Sequence, residues 1–248
     1  MQKLKSILSV QVLGSLTLAF VLGVMVAPLA AKWQWWHFRD AFTALKLLFI
    51  VGSVVGAVSL ITMVYYLIKQ GVNQAIGYAV CVIICALPLG NMLYTMSQVK
   101  SLPFIHDIST DTVNPPLLLT ASKLRKTADN STEYDPTNAK LQQQAYSDIS
   151  AVYSNLTLAQ TLSLAQASMI KLGYGDIVMN KQLGQLEFSD QTFWFGFVDD
   201  VVIRVSREQQ RVKIDIRSAS RVGKSDIGKN AQRIRQIIAQ LNSDLTAG

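Results

Sequence analysis

Residues Asp199–Arg217 read DDVVIRVSREQQRVKIDIR. Val201, Ile203 and Val205 alternate with Val202, Arg204 and Ser206. After the polar turn Arg207-Glu208-Gln209-Gln210, Val212, Ile214 and Ile216 alternate with Arg211, Lys213, Asp215 and Arg217. A period of two on both sides of a polar turn predicts an antiparallel hairpin with one apolar and one wet face.

Reading outward on the N-terminal side, strand signals extend back to about Tyr174. The aromatic run Phe193-Trp194-Phe195-Gly196-Phe197 is strand or packed loop. Before that, Leu158, Leu162, Ala165, Met169 and Leu172 recur at helical spacing and form one stripe. Thr157 with Gln160 fits a capping box, and Gly173 fits the position just past the helix end. On the C-terminal side a second helix is expected from near Ser225, with Ile227, Ala231, Ile234, Ile238 and Leu241 as its stripe. Lys229, Arg233 and Arg235 fall on its solvated side. Residues 101–156, rich in Pro, Asn, Ser, Thr and Asp, read as loop and short elements. The expected fold is an α+β domain over residues 101–248, an antiparallel sheet with two amphipathic helices on one face.

Residues 1–100 have another character. Three apolar runs, about 7–31, 42–68 and 74–96, are long enough to cross a bilayer, which takes about 20 residues. The block carries seven basic residues and the single acid Asp40. The remainder holds sixteen basic and fifteen acidic residues, so the formal charge of +7 flanks the spans and does not mark a nucleic-acid surface. The linker Trp33-Gln34-Trp35-Trp36-His37-Phe38-Arg39 has the composition of an interfacial aromatic belt. Gly52 and Gly56, with Ser53 and Ala57 beside them, form a small-residue ridge. Gly77, Cys81 and Cys85 repeat the spacing in the third span. Such ridges suit a compact three-helix bundle or, alternatively, an oligomer contact through Gly52 and Gly56. Pro88 should kink the third span, and Asn91 needs a polar partner. No span carries an acid and Lys46, near one end, is the only base within one, which argues against an ion-coupled transporter.

Positive residues near the span ends are almost balanced between the two sides. The opening Met1-Gln2-Lys3-Leu4-Lys5 ahead of an apolar run resembles an uncleaved signal anchor. Three spans that start inside put the C-terminal domain outside, in the periplasm of a bacterial inner membrane. Both cysteines lie in the third span, so a disulfide framework or cysteine-based zinc site is excluded from the soluble domain.

Two polar runs are candidates for chemistry. Ser218-Ala219-Ser220-Arg221-Val222-Gly223-Lys224-Ser225 sits between a strand and a helix like a P-loop without its first glycine. The strand is antiparallel, so nucleotide hydrolysis is not expected. Arg217, Arg221 and Lys224 form a candidate patch for an anion or partner, either a lipid phosphate or a carboxylate. Asp107 or Asp111 could instead balance these cations internally. In the other run, Ile105–Asp111, the residues His106, Asp107 and Asp111 form a possible polar cluster. The only other histidine is His37 in the linker, so neither a metal site nor a Ser/His/Asp set is expected, and no cofactor is expected.

The same runs carry a resemblance. IHDISTDTVNPP (105–116), DDVVIRV (199–205) and VKIDIRSASRVGKSDIGKNAQRI (212–234) resemble the domain of unknown function 1499 family over about residues 103–242. The resemblance implies a bacterial or plastid protein, often with N-terminal spans, and no established activity or catalytic residues. The expected role is a non-catalytic binding or assembly domain for an envelope protein or an anionic lipid. The alternatives are an enzyme acting on an envelope substrate and a carrier of an apolar ligand.

Overall fold

The computed structural model describes residues 9–127 and 129–247. The expected start of the first span near Ile7, and the signal-anchor residues Lys3 and Lys5, lie outside the described residues. The chain forms two compact units, Met1–Ser101 with Phe193–Gly196, and Leu102–Thr192 with Phe197–Gly248.

The first unit holds three helices, α1 (Val10–Lys32), α2 (Phe38–Gln70) and α3 (Val72–Val99), each long and apolar enough to cross a membrane. Ser9 caps α1 by accepting from the Val12 N–H, and the His37 ring nitrogen accepts from Arg39 at the start of α2. Gly71, at φ +91°, separates α2 from α3 in a single residue, a conformation that glycine reaches without a Cβ clash. The small-residue ridge is used inside the bundle. A Cβ at Gly52 would strike the Phe20 ring, and Gly56 lies against Cys85. Thr17 and Cys85 contribute a buried hydroxyl–thiol contact between α1 and α3. Pro88 lies within α3, and the Asn91 residue is exposed rather than enclosed by polar partners.

The second unit is a mixed α/β domain built on an open antiparallel sheet. Its elements are β1 (Asp107–Ser109), α4 (Leu119–Leu124), α5 (Thr137–Ala145), β2 (Val152–Ser154), α6 (Leu158–Lys171), β3 (Val178–Asn180), β4 (Gln185–Gln191), β5 (Val198–Glu208), β6 (Arg211–Ser220) and α7 (Lys229–Ala247). The strand order is β1-β6-β5-β4-β3, with β2 also paired to β6 beside β1. The β5–β6 hairpin is in register from Asp199↔Ser220 to Glu208↔Arg211, closed by Gln209-Gln210. Gly184, at φ +62°, turns the chain into β4. It accepts from the Val205 N–H, and any Cβ there would run into the Val205 carbonyl.

One face of the sheet packs on both long helices. Leu186, Phe188, Val201, Ile203, Val205, Val212, Ile214 and Ile216 share a buried cluster with Leu162, Ala165 and Met169 of α6 and Ala231, Ile234, Ile237 and Leu241 of α7. Burying each Val, Leu, Ile, Phe or Met side chain of this cluster contributes about 1.5–3 kcal/mol. The Thr157–Gln160 capping box is present, and Gly173 at φ +87° ends α6 by donating to Ile170.

Three expectations are corrected. The hairpin's second face is not wet: Val202, Asp215 and Arg217 are fully buried there, because the loop-rich segment before α5 lies over them. Leu118 and Ala121 pack on Val202 and Ala219 from that side. The last helix starts at Lys229, four residues later than the pattern suggests. Ile227 (φ +56°) and Gly228 (φ +75°) break the helical path, and Ile227 points to solvent. Asp226 then caps the helix, accepting from Gly228 and Asn230. Finally, Arg233 is buried, and Ile237 joins the interior stripe, with Ile238 half-buried against the same core.

Candidate functional site

Alternation along β5 and β6 sends successive polar residues to opposite faces. The adjacent pair Asp199-Asp200 therefore feeds two separate networks.

On the helix face, Asp199 accepts from Arg233 Nη2 at 2.8 Å, and Asp190 accepts from the same nitrogen at 2.8 Å. Arg233 Nη1 donates to Ser218 Oγ and Asn230 Oδ1, and Asn230 Nδ2 donates to the His106 carbonyl and to Ser220 Oγ. Arginine on α7 is thus turned inward by two carboxylates at the end of the sheet. The two acids raise the Arg233 pKa despite burial, which opposes the charge.

On the other face, Asp200 accepts from Arg125 Nε at 2.9 Å and from Arg221 Nη2 at 2.8 Å, and Ser189 Oγ donates to it at 2.8 Å. One carboxylate, nearly inaccessible to solvent, joins β5 to two guanidiniums from distant loops. Two residues along, Arg217 is fully buried and grips Asp107 with two parallel bonds of 3.0 and 2.7 Å. Its remaining donors reach the Pro116 and Thr132 carbonyls, and its guanidinium lies over the Tyr134 ring. Burial and the Asp107 charge push the Tyr134 hydroxyl up to about 12. Further along β6, Asp215 accepts from Arg204 at 2.8 Å. Lys213 donates to Asp111 at 2.9 Å, and Asp111 also accepts from the Val113 and Asn114 N–H groups. These backbone and lysine bonds hold the Asp111 carboxyl below its ordinary range, outweighing burial, which raises it.

The residues singled out in the sequence are thereby placed. Asp107 and Arg217 meet in one buried pair. Arg221 goes to a different carboxylate, and Lys224 is exposed, so the three cations do not converge. His106 contributes its carbonyl, accepting from Ser220 and Asn230, while Asp107 and Asp111 serve separate pairs. Among the described residues no group of three His, Cys, Asp or Glu is arranged to hold a metal ion. Between Ser220 and Ser225 the P-loop-like run is bound from outside, with Asn130 Nδ2 donating to the Ser220 and Gly223 carbonyls.

Sequence reasoning passed over Asp199, Asp200, Arg125 and Glu187, and placed Arg233 on a solvated face. A signal was available for the first two: neighbouring acids inside a run of valines and isoleucines must each meet a partner on its own face. Glu187, also on a strand, accepts from the Leu119, Thr120 and Ala121 N–H groups and so caps α4 from across the sheet. Beside it lies an open cleft of about 770 Å³ lined by Thr120, Lys123, Met179, Lys181, Gln185 and Glu187. A smaller cleft of about 360 Å³, between α6 and the Gly184 turn, is lined by Leu158, Leu162, Leu183 and Val205. Both lie at the sheet edge. The second opens between α6 and β5, and the rest of the sheet–helix layer is occupied by the buried cluster.

The family model described as "Protein of unknown function (DUF1499)" matches residues 107–241, more than half of the chain. No curated protein matches it.

Proposed function

We propose, for a chain that belongs to the DUF1499 family, a non-catalytic role: residues 1–100 form a transmembrane block in a bacterial inner membrane, and residues 101–248 form a periplasmic domain that binds or assembles an envelope protein or lipid. One observation carries this reading. The acids of the two polar networks, Asp107, Asp111, Asp199, Asp200 and Asp215, each accept from an arginine, lysine or backbone donor. A general base must come within hydrogen-bond reach of a substrate proton, and a carboxylate held inside an ion pair is turned away from that task. Here the charged residues build the domain's interior, which leaves its outer surface for recognition.

An apolar-ligand carrier needs a cavity between sheet and helices; buried side chains occupy most of that layer, and the cleft of about 360 Å³ between α6 and β5 is the space left for such a ligand. Lys224 is the exposed member of the proposed anion-contacting set Arg217, Arg221 and Lys224, so contact with a lipid phosphate or partner carboxylate would begin there. An oligomer through Gly52 and Gly56 would have to displace Phe20 and Cys85 from that ridge.

The test uses the full chain in lipid nanodiscs. Native mass spectrometry should retain a bound lipid or envelope protein, while panels of phosphoester, glycoside, peptide and acyl-ester substrates stay intact. Hydrolysis that disappears in His106→Ala or Asp111→Asn would replace this reading with the enzymatic one.

A further inference from the structure

The tetrapeptide Phe193–Gly196 is the tip of the β4–β5 hairpin, yet it groups with the three apolar helices. Its base is pinched by two bonds, Thr192 N–H to the Phe197 carbonyl and Phe197 N–H to Thr192 Oγ1. At the tip the side chains are aromatic and outward: Phe193 is 69% and Trp194 44% exposed, set edge to face. Two such rings at a hairpin tip are a costly surface in water.

Three features of the first unit say what meets them. Lys32, the last residue of α1, donates to the Phe193 carbonyl at 3.0 Å and lies over the Phe193 ring. Phe195 stacks on Phe42, in the first turns of α2, with ring centroids 4.8 Å apart. Between those two anchors runs the linker whose Trp33, Trp35 and Trp36 are all exposed. Span order adds a further argument. If α1, α2 and α3 each cross, α1 ends, α2 begins and α3 ends on one side, so Ser101 leaves the membrane on the side of the tryptophan linker. The tip, the linker and the emerging chain share one leaflet.

We propose that Phe193 and Trp194 insert into the headgroup–acyl boundary of that leaflet and complete an aromatic belt with Trp33, Trp35 and Trp36. Indole suits this depth because its ring is apolar while its N–H still meets polar groups. Lys32 beneath the tip suits the lipid phosphates, as basic side chains at span ends reach to the interface. The occupant is lipid rather than a protein partner because the tip continues the surface of three helices that are long and apolar enough to cross a membrane and are mostly exposed along their length.

The chain has four tryptophans. Trp33→Phe, Trp35→Phe and Trp36→Phe together leave Trp194 as the only indole. The full-length variant is reconstituted in vesicles of phosphatidylcholine and phosphatidylglycerol, with the phosphatidylcholine brominated either near the carbonyl end or near the methyl end of its chains. Trp194 emission should be blue-shifted from that of a water-exposed indole. Shallow bromines should quench it by more than half, and deep bromines less. Water-like, unquenched emission would place the tip in solvent and overturn the proposal. Blue-shifted emission that neither bromine position quenches would place it against protein and overturn it equally. If the triple variant does not fold, the difference between wild type and Trp194→Phe in the same vesicles reports the same indole.

Discussion

Arg217 is the largest fully buried side chain of the domain, and its neutralisation shows what holds the polar face of the sheet. The guanidinium has lost its water, so its stability rests on two parallel bonds to Asp107 and two carbonyl acceptors. Removing one partner strands a charge in a medium that cannot solvate it, which costs about 3–5 kcal/mol for buried pairs. Asp107→Ala or Arg217→Ala should each lower the thermal unfolding temperature of the detergent-solubilised chain by several degrees. Asp107→Ala with Arg217→Met, which removes both charges, should recover part of that loss. Equal destabilisation by the single and double variants would mean that lost packing, not a stranded charge, sets the cost.

The two long helices of the second unit meet at their ends through Asp244. It accepts from Ser168 Oγ at 2.6 Å and from Lys171 Nζ at 2.7 Å, while Gln240 donates to it from the preceding turn. These bonds pull its carboxyl from an ordinary 3.8 to about 2. A carboxyl held down in the folded chain favours folding only while ionised. Its contribution is complete above about pH 4 and is lost as the pH falls toward about 2. Unfolding midpoints measured across that window should therefore fall less steeply in Asp244→Asn than in wild type. Asp226 lies at the other end of α7, where burial pushes its carboxyl up, against the Gly228 and Asn230 bonds that lower it. An acid-limb slope unchanged by Asp244→Asn would remove Asp244 from the account of helix docking.

At the scale of the whole molecule, three helices long and apolar enough to cross a membrane would, if each crosses, put Ser9 and Ser101 on opposite sides of it. On the proposed orientation, with the N-terminal side in the cytoplasm, a reporter fused after Gly248 that fluoresces only in the cytoplasm should stay dark, and one active only in the periplasm should signal. Bright cytoplasmic fluorescence would reverse the orientation and move the proposed aromatic belt to the inner leaflet. It would leave the fold untouched, because the ion pairs of the second unit depend on the domain's own interior.

Periodicity was enough to locate three apolar helices, the β5–β6 hairpin, the α6 stripe and its caps, because each is set by residues near one another in the chain. Spacing alone also identified the Gly52 ridge, which the bundle uses against Phe20. The start of α7 was less legible: a helical stripe records which residues are apolar, not that Ile227 and Gly228 adopt positive φ. Of the buried second sheet face, only the internal balancing of Arg217 by Asp107 was legible as an alternative. Arg204 and Asp215 look like a solvated edge until residues separated by about a hundred positions, Asp111 and Pro116 among them, are folded over that face. Local sequence determines which residues share a face. Only tertiary structure decides whether a charge on that face meets water or an opposite charge, because the partner's position depends on the path of the whole chain.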